Sequence, residues 1–366
     1  MRAEVAIVGN GVAGTACALR LARHGIRPLL IGRGLPVDRP PLTKAALARG
    51  EPVLLADEER LHERGVDRLD GMVDELDLAA GTLRVGEHDV EAAAVVLATG
   101  LSYRPPRIPG LDVAHVNATP GGLRRLAAVL TPGRRRVAVI GAGLIGVETA
   151  ATLAGLGHAV TLLDVLPRPL DRLHDPLPTL AEETLRELGV TLACGAAVVE
   201  TVARRDGVVL HHARGEVVAD VVVAATGGLA LAPPGIDTEP PLSLDPGLRL
   251  PGRPSAYACG DLVLVPHARF GPIRFPHWDA AIGTGEHVAD GIAGVAGPYE
   301  RLPYWWSDIG PRRLAEVGVA SLAAGFTEEE GLHVGRDASG EAVCVLVVDA
   351  PRRLREARAL LSGEAR

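Results

Sequence analysis

Two stretches of the chain repeat one order of apolar and polar positions: an unbroken apolar run, a glycine-spaced turn, a helical segment and a second apolar run. The first reads Glu4-Val5-Ala6-Ile7-Val8, then Gly9-Asn10-Gly11-Val12-Ala13-Gly14, with helical composition from Thr15 to His24 and a strand from Arg27 to Ile31. The second reads Val137-Ala138-Val139-Ile140, then Gly141-Ala142-Gly143-Leu144-Ile145-Gly146, a helix to about Leu156 and a strand from Ala159 to Leu163. Strands apolar at successive positions are buried ones, and a crossover helix between two of them predicts a parallel α/β unit.

The glycine spacing gives these units a chemistry. In G-x-G-x-x-G the first glycine makes the tight turn, the second lets a pyrophosphate approach the backbone, and the third lets helix and strand pack closely. The helix N-terminus then offers N–H groups and a partial positive charge to the phosphates. The second strand of the second unit ends in Asp164, 18 residues after Gly146. An acid there accepts ribose hydroxyls and repels a 2′-phosphate. The first unit has Gly32-Arg33-Gly34 in that place. Two sites with different ribose ends predict two different dinucleotides.

Further repeats follow. Val95-Val96-Leu97-Ala98-Thr99-Gly100 and Val221-Val222-Val223-Ala224-Ala225-Thr226-Gly227 are each a buried strand ending in a Thr-Gly turn. Ala256-Tyr257-Ala258-Cys259-Gly260-Asp261 is another strand, running into a Gly-Asp pair whose carboxylate suits a ribityl hydroxyl.

Composition narrows the function. The chain has 366 residues and a net charge of −7, so a nucleic-acid partner has no global electrostatic support. No apolar run reaches the length of a membrane span, and the N-terminal one ends in the glycine turn rather than a cleavage site. A cytoplasmic protein is expected. The four cysteines, Cys17, Cys194, Cys259 and Cys344, form no closely spaced pair, so no local dithiol or metal knuckle is expected. Of 38 basic residues only Lys44 is a lysine. A lysine that survives such a bias merits attention.

Together these features resemble the pyridine nucleotide–disulfide oxidoreductase superfamily of FAD- and NAD(P)H-dependent flavoproteins. Asp38-Arg39-Pro40-Pro41-Leu42-Thr43-Lys44 resembles the DRPPLSK signature of its ferredoxin reductases, the branch of putidaredoxin and rubredoxin reductases. His277-Trp278-Asp279-Ala280-Ala281 and Pro303-Tyr304-Trp305-Trp306-Ser307-Asp308 resemble two further segments of that branch. The resemblance implies a glutathione-reductase-like α/β fold: two Rossmann-like three-layer dinucleotide-binding domains and a small C-terminal α+β domain. The expected FAD-binding domain covers 1–108 and 229–296, the NAD(P)H-binding domain 109–228 and the C-terminal domain 297–366. Three departures stand out: no acid at the end of the first unit's second strand, Pro276 before His277 where a Glu is common, and a short C-terminal domain.

The resemblance also implies roles. FAD falls to Gly9, Gly11, Val12, Ala13, Gly14, Arg39, Lys44, Ala98, Thr99, Gly100, Gly260, Asp261, His277, Trp278 and Trp306. NADH falls to Gly141, Gly143, Leu144, Ile145, Gly146, Asp164, Thr226 and Gly227, and Lys44 with Glu148 forms the catalytic pair beside the flavin and nicotinamide. Glu148 is otherwise a carboxylate well placed near a helix N-terminus. Seven of the ten aromatic residues lie between 270 and 306, which suits stacking on flat rings or the core of the final domain. Without a dithiol, electrons are expected to leave the flavin directly for a ferredoxin- or rubredoxin-type carrier serving an oxygenase. Direct reduction of a small molecule or oxygen, and NADH sensing in the manner of apoptosis-inducing factor, are the alternatives. Arginines at 134–136, 312–313 and 352–355 are candidates for steering an acidic carrier, and the assembly is expected to be a monomer or homodimer.

Overall fold

The computed structural model describes residues 1–103, 106–111, 119–131, 133–230 and 232–363. Its contacts divide the chain into two compact units, each discontinuous: Met1–Asp38, Leu54–Ser102 and Leu229–Tyr304 form the first, and Arg39–Val53, Tyr103–Gly228 and Trp305–Arg366 the second. The segment holding Arg39 to Lys44 thus packs with the second glycine unit.

In the first unit the strand Arg2–Val8 lies between the parallel strands Pro28–Ile31 and His88–Leu97, and Ala256–Ala258 pairs beyond the latter. Val5 to Val8 are buried throughout, as a central strand covered on both faces requires. The helix Val12–Arg23 packs against the helix Trp278–Ile292. Gly285 permits their contact, since a Cβ there would collide with the Ala13 carbonyl. Arg20 and His24 both reach Asp290 at the far end, at 2.7 and 2.6 Å.

The second unit repeats the plan with Arg136–Ile140 between the parallel strands Ala159–Asp164 and Val221–Ala224, and Thr191–Cys194 at the edge. The helix Leu144–Gly155 follows its glycine turn. A separate sheet of five strands, 304–309, 312–318, 342–348, 332–336 and 325–329 in spatial order, fills the C-terminal region. Along its first strand burial alternates, so Trp305, Ser307 and Ile309 face inward while Trp306 and Asp308 are half-buried on the other side. Among the described residues no helix is long and apolar enough to cross a membrane.

Candidate active site

Each glycine turn sits at the carboxyl end of its central strand, where open α/β sheets bind their ligands. Gly9 has φ +114°, and a Cβ on it would strike the Ala98 carbonyl, so the first turn and the Ala98-Thr99-Gly100 turn fit only as glycine on alanine. A Cβ on Gly14 would strike the Gly9 carbonyl, whereas nothing lies within 4 Å of one on Gly11. The open side of the turn is therefore at Gly11, at the N-cap of a helix with no side-chain cap and no acid in its first turn. Gly141, Gly146 and Gly143 reproduce these three environments against the Ala225-Thr226-Gly227 turn, again with an uncapped helix start. Both turns thus fit a pyrophosphate: close packing on one side, free amides and space on the other.

The first unit brings most of its sequence-predicted residues to one sheet end. Gly9 to Gly14, Ala98 to Gly100, and Gly260 with Asp261 follow three adjacent strands. The Gly260 amide is held by Thr284 Oγ1 at 2.9 Å, which ties the Gly-Asp turn to the helix starting at Trp278. Trp278 Nε1 donates to Asp38 Oδ1 at 2.8 Å, and His277 caps the same helix with its imidazole pushed down to about 4 by burial. Where the usual ribose acid is missing, Asp70 is present: its Oδ1 accepts from the Gly34 amide at 2.7 Å, and Asn10 Nδ2 donates to the Gly34 carbonyl at 2.7 Å.

In the second unit Asp164 is oriented by backbone. Its Oδ2 accepts from the Ala142 amide inside the glycine turn at 2.5 Å, and its Oδ1 from the Leu166 amide at 2.8 Å. A carboxylate has about four lone-pair positions, so each oxygen keeps capacity for a hydroxyl.

The densest polar cluster also belongs to this unit. Lys44 Nζ lies 3.1 Å from Glu148 Oε1 and 3.2 Å from Asp308 Oδ2, with the two side chains of the first pair 20% and 9% exposed. Glu148 accepts two hydroxyl bonds as well, from Thr43 Oγ1 to Oε2 at 2.5 Å and from Ser307 Oγ to Oε1 at 2.6 Å. Thr152 Oγ1 fixes the Thr43 carbonyl at 2.8 Å. Arg313 Nε donates to Asp308 Oδ1 at 2.6 Å. Burial alone would raise the Asp308 pKa, but Arg313 and Lys44 together hold it below the usual carboxylate range. Two cations and two carboxylates alternate, so the cluster is neutral and satisfied, the condition under which buried charge is tolerated. Removing one member strands the others.

Arg39 stacks its guanidinium over the Tyr103 ring at 5.3 Å. Trp306 is half-buried, while Trp305 is 3% exposed and bonds Glu316, which makes it a core residue. Thr43, Thr152, Ser307, Asp308 and Arg313 were not singled out from sequence as site residues. The only signal for Thr43, Ser307 and Asp308 was their membership of the two short motifs. Half of the eight arginines in the three clusters are paired: Arg136 with Asp220, Arg312 with Asp349, Arg313 with Asp308 and Arg353 with Glu356.

Comparison with known proteins identifies the arrangement. The family model described as pyridine nucleotide-disulphide oxidoreductase matches residues 3–285. The ferredoxin reductase component of chlorobenzene dioxygenase from Cupriavidus sp. (strain PS12) is 32% identical, with 99% of this chain and 94% of that protein covered. The ferredoxin–NAD(+) reductase subunit of the benzene 1,2-dioxygenase system from Pseudomonas putida is 30% identical over 100% and 95% of the two chains. Among solved structures, the ferredoxin reductase for the CYP199A2 system from Rhodopseudomonas palustris superposes with a TM-score of 0.90 at 25% identity, covering 99% of this chain and 95% of that one. The chain belongs to the pyridine nucleotide-disulphide oxidoreductase family and, within it, to the ferredoxin reductases.

Proposed function

We propose that the protein is an NADH-dependent FAD flavoprotein that passes electrons one at a time to a ferredoxin- or rubredoxin-type carrier serving an oxygenase. The observation that carries this reading is the end-to-end match to reductase components of dioxygenase systems. In this reading FAD would be held in the first unit by the Gly9–Gly14 turn, Ala98 to Gly100, Gly260, Asp261, His277 and Trp278. When bound, FAD accepts two electrons as hydride and releases them singly. NADH is taken by the Gly141–Gly146 turn, Thr226 and Gly227, with Asp164 accepting the adenosine ribose hydroxyls.

The side chains then supply position and charge. Lys44 presents a compact cation where negative charge develops, and Glu148, locked by Thr43 and Ser307, keeps that cation from swinging away. Asp308, itself held by Arg313, braces the ammonium from a second direction. No thiol intermediate is needed. Cys17, Cys194, Cys259 and Cys344 are free and buried, and burial raises the pKa of all four, to about 11 for Cys194 and about 12 for Cys259. Thiols so protonated are poor nucleophiles. The working compartment is the cytoplasm in this reading.

The test is steady-state transfer from NADH through the purified holoenzyme to a [2Fe–2S] ferredoxin, read by coupled cytochrome c reduction. Ferredoxin-dependent reduction with NADH favoured over NADPH supports the reading. Equal rates with and without ferredoxin, with oxygen consumed instead, overturn it.

A further inference from the structure

The loop after Asp164 carries an arginine whose charge is already committed. Arg168 Nε donates to Asp171 Oδ1 at 3.1 Å, while Nη1 and Nη2 donate to the two oxygens of Asp175 at 3.2 and 3.1 Å. Thr179 Oγ1 fixes Asp175 from the other side at 2.8 Å. The second contact is a two-pronged fork between guanidinium and carboxylate, the stronger form of such a bond.

The loop's placement gives this arrangement a consequence. Its start is anchored by the Leu166 amide on Asp164 Oδ1 at 2.8 Å, and its end by the Leu170 amide on the Ala142 carbonyl at 2.9 Å. Ala142 is the residue whose own amide holds Asp164 Oδ2. Arg168 therefore lies between two anchors, one on the ribose acid and one on the glycine turn. A cation there is what a 2′-phosphorylated ribose requires for charge compensation. The loop's other cation, Arg172, is exposed.

We propose that Asp171 and Asp175 are specificity-positioning residues: by engaging Arg168 through three hydrogen bonds they withhold it from the dinucleotide and turn the loop against a 2′-phosphate. The proposal rests on the reading that the second glycine unit binds NADH. A phosphate monoester carries nearly two negative charges, and it meets Asp164 together with the two acids that hold Arg168. To be recruited, Arg168 must give up all three hydrogen bonds to these acids and leave their charges uncompensated by it. The ribose hydroxyls of NADH make no such demand, so discrimination falls on the phosphate alone.

The experiment uses the holoenzyme and the double variant Asp171→Asn with Asp175→Asn, which keeps side-chain shape and removes the charges. Calorimetry measures binding of adenosine 2′,5′-bisphosphate and of 5′-AMP, and steady-state kinetics give kcat/KM for NADPH and NADH. The double variant should bind the bisphosphate at least about tenfold more tightly than wild type, about 1.4 kcal/mol. Binding of 5′-AMP should stay within about threefold, and NADPH efficiency should rise in parallel. Adding Arg168→Ala should abolish the gain, which a merely structural role for the acids does not predict. Should the double variant fold poorly, Asp171→Asn alone removes the charge of one of the two acids and should shift the ratio in the same direction. An unchanged ratio of bisphosphate to 5′-AMP affinity, or a gain that survives Arg168→Ala, overturns the proposal. A wild-type protein that already favours the bisphosphate contradicts the NADH reading itself, a result distinct from an unchanged ratio.

Discussion

Lys44 Nζ and Glu148 Oε1 lie 3.1 Å apart, joining the end of one short motif to the first turns of the second glycine helix, 104 positions further along the chain. The one lysine of the chain is thus held by a carboxylate that two hydroxyls orient. Arginine is a poor replacement, because its guanidinium is broader, planar and differently hydrated than an ammonium. Lys44→Met should retain FAD yet slow its reduction by NADH at least about tenfold, roughly 1.4 kcal/mol of barrier. Lys44→Arg should be impaired as well. Rapid-mixing traces at saturating NADH check both, and a fully active Lys44→Arg would show that positive charge alone suffices.

Ser307 is fully buried and donates to Glu148 at 2.6 Å. Ser307→Ala leaves a buried carboxylate short of one donor, which costs about 1.5–3 kcal/mol for a bond to a charged group. A lower Tm and slower flavin reduction are expected together, since the same bond stabilises the fold and orients the partner of Lys44. Thr43→Val should act in the same direction through the other oxygen. Scanning calorimetry alongside single-turnover kinetics measures the two effects, and an unchanged Tm for Ser307→Ala contradicts the account of the cluster.

Burial pushes the His277 imidazole down to about 4, and burial also lowers His158, His267 and His287. These rings stay neutral in the folded protein but take up protons on unfolding below about pH 6.5. The stability they contribute is present above that pH and is lost as pH falls toward their folded values. Glu316 opposes them, because burial raises its carboxyl pKa. His277→Gln isolates one ring. The wild-type Tm should fall as pH drops from about 6.5 to 4.5, and the variant's should fall less steeply. Identical slopes would contradict the assignment.

Cys259 follows a strand paired to His88–Leu97, and its amide donates to the Leu97 carbonyl at 3.0 Å. Its fully buried side chain packs under the Gly260-Asp261 turn rather than offering a thiolate, since burial pushes the thiol up to about 12, and alanine there removes that packing while keeping the amide bond. Each cysteine changed singly to Ala should leave turnover within a few-fold of wild type, with Cys259→Ala the one that loosens FAD. Flavin content and NADH-driven dye reduction measure this; a cysteine required for turnover while FAD stays bound would place a thiol in the electron path.

The sequence disclosed the elements whose signals are local. Val5 to Val8, the turn at Gly9 to Gly14 and the helix behind them are contiguous, and each glycine has a steric reason to be there. Asp164 was legible by spacing, although its use in orienting the Ala142 amide was not. The cluster around Lys44 was only half legible, because Asp308 and Ser307 reach it from the far end of the chain through a different sheet. The arginine patches were half legible for the complementary reason. Arg136, Arg312, Arg313 and Arg353 look like free charge in a linear text, but their partners Asp220, Asp349, Asp308 and Glu356 come from folding. Likewise the acid absent after Ile31 gave no hint that Asp70 holds the Gly34 amide there.

Double-mixing stopped flow tests the central claim most directly. The holoenzyme is first reduced with one equivalent of NADH without oxygen and then mixed with oxidised [2Fe–2S] ferredoxin, with flavin and iron–sulfur absorbance followed together. Flavin reoxidation matched by reduction of two ferredoxins per flavin, and kept in each single Cys→Ala variant that retains FAD, is the predicted result. Flavin that stays reduced in the presence of ferredoxin and reoxidises only when oxygen or a disulfide is added would contradict it.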